Sequence, residues 1–291
     1  MQRTLVKMLK RVLTLGFLWL LVGCSTIRLG YDQGTTLAWW WIDGYADFNG
    51  EQSPRVKDAI HRWFTWHRTT QLGDYAAWLG AVRTKIGESI TTAQVCRWTD
   101  ESRTMLRPAI DRALVLAAPL VPALTEVQFK HIERRYAKAN DEFKRDFLQQ
   151  DEERLEAAVK RTVDRAETVY GRVDAAQRKL ITASLQASPL DPEAWAAERQ
   201  RRQRDTLQTL RRLVADRAGN ERTLAGLRAL AERTQRSPEP AYRAYQQRLT
   251  DYNCAFTARL HNTTTAAQRE AARLRLEGWE DDLRLLAAAT P

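Results

Sequence analysis

From residue 36 onward, apolar residues recur at three- and four-residue spacing, and no run alternates apolar with polar for long. That is the period of an α-helix with one buried face. Val56, Ile60, Trp63, Phe64 and His67 share a face, as do Phe129, Ile132, Tyr136, Phe143 and Phe147. Tyr242, Tyr245, Leu249, Tyr252, Phe256 and Leu260 form a third stripe. A capping residue, two variable residues and then Gln recur at Asn49–Gln52, Thr91–Gln94, Thr125–Gln128, Asp174–Gln177 and Thr265–Gln268. In such a box the cap side chain accepts from the free N–H near the third helical residue, and Gln reaches back to the cap's own N–H. Each copy therefore predicts a helix start. Ile90 with Val95 and Leu124 with Phe129 supply hydrophobic staples, and Gly87 and Gly171 are placed to end the preceding helices in a left-handed conformation.

These starts and stops predict helices near 36–46, 51–70, 73–86, 92–117, 126–148, 151–170, 175–187, 192–217, 221–235, 239–262 and 266–288. Pro108 predicts a kink in the fourth. Pro119 and Pro122 bracket the turn before Thr125, while Asp191-Pro192 and Ser237-Pro238 read as caps followed by Pro at the first helical position. The expected fold is all-α, an elongated multi-helix bundle.

The first residues follow a different pattern. Arg3, Lys7, Lys10 and Arg11 precede an apolar run from Val12 to Val22, shorter than the roughly 20 residues of a membrane-spanning helix. The run ends in Leu21-Val22-Gly23-Cys24, which resembles a bacterial lipobox. The resemblance implies a lipoprotein signal peptide over 1–23, cleavage before Cys24, and acylation of the Cys24 thiol, with membrane lipid as the partner. A plain secretory signal is the alternative. Several acyl chains anchor a protein stably where one binds reversibly. Ser25, in place of the Asp that tends to retain such proteins at the inner membrane, implies the periplasmic face of the outer membrane. Residues 24–35 then read as a lipidated N-terminus and an extended or mobile tether, and 36–291 as the helical domain.

Composition narrows the reading. Glycine is sparse, at 13 residues, while Ala, Leu, Arg and Gln abound. Of the ten tryptophans, seven fall between Trp39 and Trp98. Trp39, Trp40 and Trp41 are consecutive and span about 200° of a helix, so they cannot all face one core. Either one meets the bilayer interface or a partner, or the helix is wedged between two others. The net charge of +10 includes four basic residues of the signal, and a basic surplus suits anionic lipid or the acidic groups of the cell wall. Nucleic acid is not an expected partner outside the cytoplasm. Besides Cys24, only Cys96 and Cys254 occur. Cys254 falls opposite the Tyr242–Leu260 stripe, and a lone thiol off the core is a liability in an oxidising compartment. A Cys96–Cys254 disulfide is therefore expected, with two independent buried thiols as the alternative.

Candidate chemistry is thin. His61, His67, His131 and His261 lie in separate patterns apart from the first two, without metal-ligand spacing, and no phosphate-binding loop or nucleophile elbow occurs. No cofactor is expected. The carboxylate runs Asp151–Glu153 and Glu280–Asp282 read as solvated faces or helix starts, and the basic run Arg199–Arg204 as an exposed face or a contact for acidic lipid or cell wall.

Together with the lipobox, Ile42-Asp43-Gly44-Tyr45, Trp63-Phe-Thr-Trp-His67, His261–Arg269 and Gly278–Leu283 resemble an uncharacterised family of Gram-negative helical lipoproteins, known by a domain of unknown function. The resemblance implies fold class and location, and brings no catalytic residues. Leu124-Thr125-Glu-Val-Gln128 is also similar to the Leu-Thr-x-x-Gln motif of small periplasmic helical chaperones. The expected function is a structural or interaction module of the envelope, not an enzyme, with an envelope protein or the cell wall as partner. The alternatives are a chaperone-like binder, which needs a concave apolar groove, and a cell-wall hydrolase, which needs two convergent carboxylates.

Overall fold

The structure, a computed structural model, describes residues 26–289, so the signal segment and Cys24 lie outside the described residues. Among these residues there are helices and no strands. The first helices are α1 (Thr26–Asp32), α2 (Gly34–Ala46), α3 (Gln52–Thr70), α4 (Leu72–Arg83), α5 (Thr92–Met105) and α6 (Arg107–Ala117). After a 3₁₀ turn at Val121–Ala123 come α7 (Glu126–Phe147), α8 (Asp151–Tyr170), α9 (Ala175–Gln186) and α10 (Pro192–Ala215). The chain closes with α11 (Asn220–Gln235), α12 (Pro240–Asn262) and α13 (Ala266–Ala288).

The start signals act as the sequence predicts. Thr91, Thr125, Asp174 and Thr265 each accept from the N–H of the Gln three residues on, whose side chain accepts from the cap N–H. Asn49 and Gln52 make the same exchange ahead of α3. The boxes also join in pairs. The side-chain amides of Gln52 and Gln128 donate to each other's oxygen at 3.1 and 2.8 Å, and those of Gln177 and Gln268 at 2.8 and 2.9 Å. Each amide also donates to a carbonyl beside the other helix start: Gln52 to Ala123, Gln128 to Ala46, Gln177 to Thr263 and Gln268 to Arg172. Starts of helices far apart in sequence are thereby fixed together, α3 to α7 and α9 to α13. Ile90 packs with Val95, and Leu124 with Phe129, as staples do.

Several expectations need correction. The segment expected as a tether is helical from Thr26 to Asp32 and is held by Tyr31, whose hydroxyl is 2.9 Å from His67 Nδ1, and by Arg68 on Asp32. Gly171 has a positive φ of 74° but Gly87 does not; Asp47 and Arg217 instead take left-handed backbone. The predicted 92–117 helix breaks at Leu106, two residues before Pro108, which sits in the first turn of α6. Asp191 caps α10 through the Ala194 N–H with Pro192 first in the helix, whereas α12 begins at Pro240 and not Pro238. The reason is Ser237, whose buried hydroxyl donates to the Glu198 carboxylate and accepts from the Glu239 N–H. Cys254 is 3% exposed, because α12 lies between two neighbours: its aromatic stripe faces α8 and α9, and Cys254 with Ala258 faces α5.

Packing divides the helices. α4 lies along α13 around Val82, Ile86, Ala272 and Leu276, with α8 on the same side. Gly80 allows this approach, since a Cβ there would lie 3.0 Å from Glu280 Oε1. Glu280 and Asp282 are buried rather than solvated: Arg83 and Arg284 neutralise Glu280, and Arg28 of α1 pairs with Asp282. Buried carboxylates need such partners. The other group consists of α2, α3, α6, α7, α10 and α11, and these six surround an open space.

Candidate binding site

The space is an apolar chamber of about 620 Å³. α2 contributes Ala38 and Ile42, α3 Val56, Ile60, Trp63 and Phe64, α6 Leu116 and Ala117, α7 Ile132, α10 Leu210 and α11 Leu227. Ile42, Trp63, Phe64, Leu120, Leu124 and Leu210 are only half-buried, although they point inward, because they border this space. Alanines at 38, 46, 59, 113 and 117 leave it unfilled. The Trp63 indole N–H is satisfied by the Ala109 carbonyl at 2.9 Å, so the wall presents its hydrocarbon. Phe64 in turn packs against Gly34, where a Cβ would collide with its ring.

A second cavity of about 450 Å³ adjoins the first, and Ile42, Ala46, Ile132 and Leu210 line both. Its wall is different in kind. Trp41, Tyr45 and Tyr136 form an aromatic row with centroid separations of 5.2 and 5.9 Å, and Trp195, Arg199, Arg202, Gln203, Thr206 and Thr234 complete the lining. Burial raises the Tyr136 pKa, so its hydroxyl stays protonated.

The basic run expected on an exposed face forms part of this wall. Glu198, buried just ahead of it, accepts from Arg201 and Arg202 at 2.8 Å, and Asp205 just beyond it binds Arg233. Burial alone would raise the Glu198 pKa, but the hydrogen bonds from Arg201 and Arg202 outweigh it and hold the carboxyl below its ordinary value. Arg199 has no carboxylate partner among the described residues; its Nε donates to Asn140 Oδ1 at 2.9 Å and its plane lies over Phe143. Three guanidinium groups, at 201, 202 and 233, thus share two carboxylates, and Arg199 is a fourth beside them without one. The spacing that gives this away is Glu198 at three and four residues before Arg201 and Arg202, with Asp205 four after Arg201.

The tryptophan run divides. Trp39 is half-buried, stacked on Phe48 with Lys57 over its ring, while Trp40 and Trp41 are 65% and 69% exposed. With Leu37, 51% exposed and on the same face of α2, they make an outward apolar ridge, and Leu29 of α1 is exposed as well, at 60%. Cys96 on α5 and Cys254 on α12 are joined as a disulfide, with Cα atoms 5.4 Å apart. The buried histidines are structural: His67 stacks on Trp63, and His261 Nε2 donates to the Glu88 carbonyl while Nδ1 accepts from the Tyr170 hydroxyl. His131 bonds the Gly44 carbonyl, and His61 is exposed beside Asp58. No cluster of three or more His, Cys, Asp or Glu suited to a metal occurs among the described residues, and no described helix is long and apolar enough to cross a membrane. Neither of these two cavity walls carries Asp, Glu, His or Cys.

Residues 44–243 match the model of a family of unknown function, DUF6279. The match spans more than half of the chain, which therefore belongs to this family. The span takes in Arg199, Arg202 and most of both walls, and begins just after Trp41. No curated protein and no solved structure matches the chain.

Proposed function

We propose that this member of the family is an outer-membrane lipoprotein of the Gram-negative envelope, held by acyl groups on Cys24 and acting as an interaction module rather than an enzyme. The observation that carries the reading is the exposure of large apolar residues near the N-terminus: Leu29, five residues beyond the lipobox cysteine, and the α2 ridge of Leu37, Trp40 and Trp41. Indole rings favour the boundary between apolar and wet, so the anchor and the ridge would meet one bilayer together. The apolar wall of the larger of the two adjoining cavities, with an arginine-lined cavity beside it, supports an interaction role.

Fractionation of cells tests this. The wild-type chain is expected in the outer-membrane fraction and Cys24→Ala as an uncleaved or released form. If Cys24→Ala still fractionates with the outer membrane, acylation is not what holds the protein. A tryptophan scan tests the ridge: Trp39→Ala is expected to cost about 2–3 kcal/mol, whereas Trp40→Ala and Trp41→Ala leave the melting temperature nearly unchanged and weaken binding to anionic vesicles. Three equal losses of stability would return the segment to the core.

The apolar chamber favours a second reading, a chaperone-like binder of clients. Its volume suits a few side chains at a time. Slowed aggregation of a reduced, unfolding client would support it, and unchanged aggregation would remove it.

A further inference from the structure

Protein interiors are close-packed, and voids larger than a water molecule are few. A chamber of about 620 Å³ kept open by alanines on α2, α3 and α6 lies within the roughly 300–1,000 Å³ of ligand sites. Its wall offers hydrocarbon alone, with the one nearby indole donor already bonded to Ala109. The occupant of this part must therefore be apolar and ask for no hydrogen bond. The adjoining cavity shares four wall residues with the chamber and has the opposite character, with two guanidinium groups, hydroxyl and amide groups, and no carboxylate. Around it Arg201, Arg202 and Arg233 share Glu198 and Asp205 while Arg199 pairs with no carboxylate, so a positive surplus remains. The terminal amino groups of Arg199 bond to no group among the described residues. Guanidinium groups favour carboxylate and phosphate, which they bind through paired, charge-assisted hydrogen bonds.

We propose that the two cavities are one binding site for a single-chain amphiphile, with its acyl chain among Ile42, Ile60, Trp63, Leu116 and Leu210 and its anionic head group at Arg199 and Arg202. The head group is a carboxylate or a phosphate, and the chain is a saturated or singly unsaturated hydrocarbon. Ile42, Ala46, Ile132 and Leu210, common to both walls, mark the junction where an amphiphile changes from apolar to polar, and Tyr45 and Tyr136 line the polar side of it. The site is independent of the acyl groups proposed on Cys24, so either reading can fail without the other.

Photolabelling of the full chain tests it by position. Dodecanoate and dodecyl phosphate, each with a terminal diazirine, are titrated onto the purified protein, and crosslinked peptides are read by mass spectrometry. Saturable labelling is expected within 56–64 of α3, 113–117 of α6 and around Leu210, with the matching dodecanol at least about tenfold weaker. The two anionic probes distinguish a carboxylate head from a phosphate head by which saturates first. Arg199→Gln, which gives up the bond to Asn140 and the contact over Phe143 but breaks no ion pair, is expected to weaken both anionic probes about tenfold, leave dodecanol unchanged, and nearly keep the melting temperature. Ala59→Phe fills the chamber and is expected to abolish labelling by all three; Ala113→Leu gives the same result if Ala59→Phe does not fold. Labelling absent from these segments, equal labelling by dodecanol, or labelling undiminished in a folded chamber-filling variant would each overturn the site.

Discussion

His67 shows how much a single side chain can reveal and conceal. Its place on a face with Val56, Ile60 and Trp63 is legible from spacing, since i, i+4 and i+7 positions share a helix stripe. Its task is not, because Tyr31 comes from the segment expected as a tether and Tyr75 from α4. Burial lowers the His67 pKa to about 4, so the folded protein keeps it neutral. An unfolded chain takes up that proton from about pH 6.5 downward. The folded state is therefore stabilised above pH 6.5, and that contribution is lost as pH falls through the window down to about 4. His261, lowered in the same direction by burial, adds to the slope. Urea unfolding at pH 7, 6, 5 and 4.5 is expected to show declining stability, and His67→Gln, which can still accept from Tyr31, a shallower decline. A parallel decline in the variant would place the proton uptake elsewhere. The arginine run is the opposite case: six residues read as a solvated face, yet the acids at its two ends turn it inward, and only Arg204 is exposed.

At the level of the helix, boundaries were legible wherever a start was written in side chains. The boxes at 49, 91, 125, 174 and 265 all close, because cap and Gln are local partners that need no tertiary information. Ser237-Pro238 misled because a buried carboxylate from α10 claimed the serine. What spacing could not disclose is that four of the five glutamines pair across the fold. This makes the boxes unequal in energy. Gln94 serves only its own cap, so Gln94→Leu is expected to cost about 1 kcal/mol. Gln128→Leu also leaves one Gln52 amide N–H and the Ala46 carbonyl without their partner in a buried place, although Gln52 keeps its bonds to Ala123 and Asn49; each unsatisfied group costs about 1–3 kcal/mol, so a total near 3–5 kcal/mol is expected. Equal denaturation midpoints for the two variants would mean that the cross-pair contributes nothing.

Over the whole molecule, the all-α class was legible and the chamber was not. Periodicity marks which face of α3 or α10 is apolar, but the same stripe serves a close-packed core and an open one. Only the meeting of six helices, with alanines where larger residues would close the gap, separates the two outcomes. The disulfide also acquires its meaning at this scale. It joins positions separated by 158 residues, and so makes a covalent ring that contains α6, α7, α10 and α11 while leaving α2 and α3 outside. The chamber is thus walled partly by the ring and partly by the free N-terminal arm. Removing the bond is expected to cost roughly 2–5 kcal/mol. A mechanical consequence follows. Tension applied between the two ends passes from α1 into α2 and α3, crosses the sulfur–sulfur bridge, and leaves through α13, so the arm peels from the chamber while the ring bears no load. Roughly 500 Å of chain is hidden in this way at about 3.3 Å per residue, and optical-tweezers traces should recover that length only after a reductant is added.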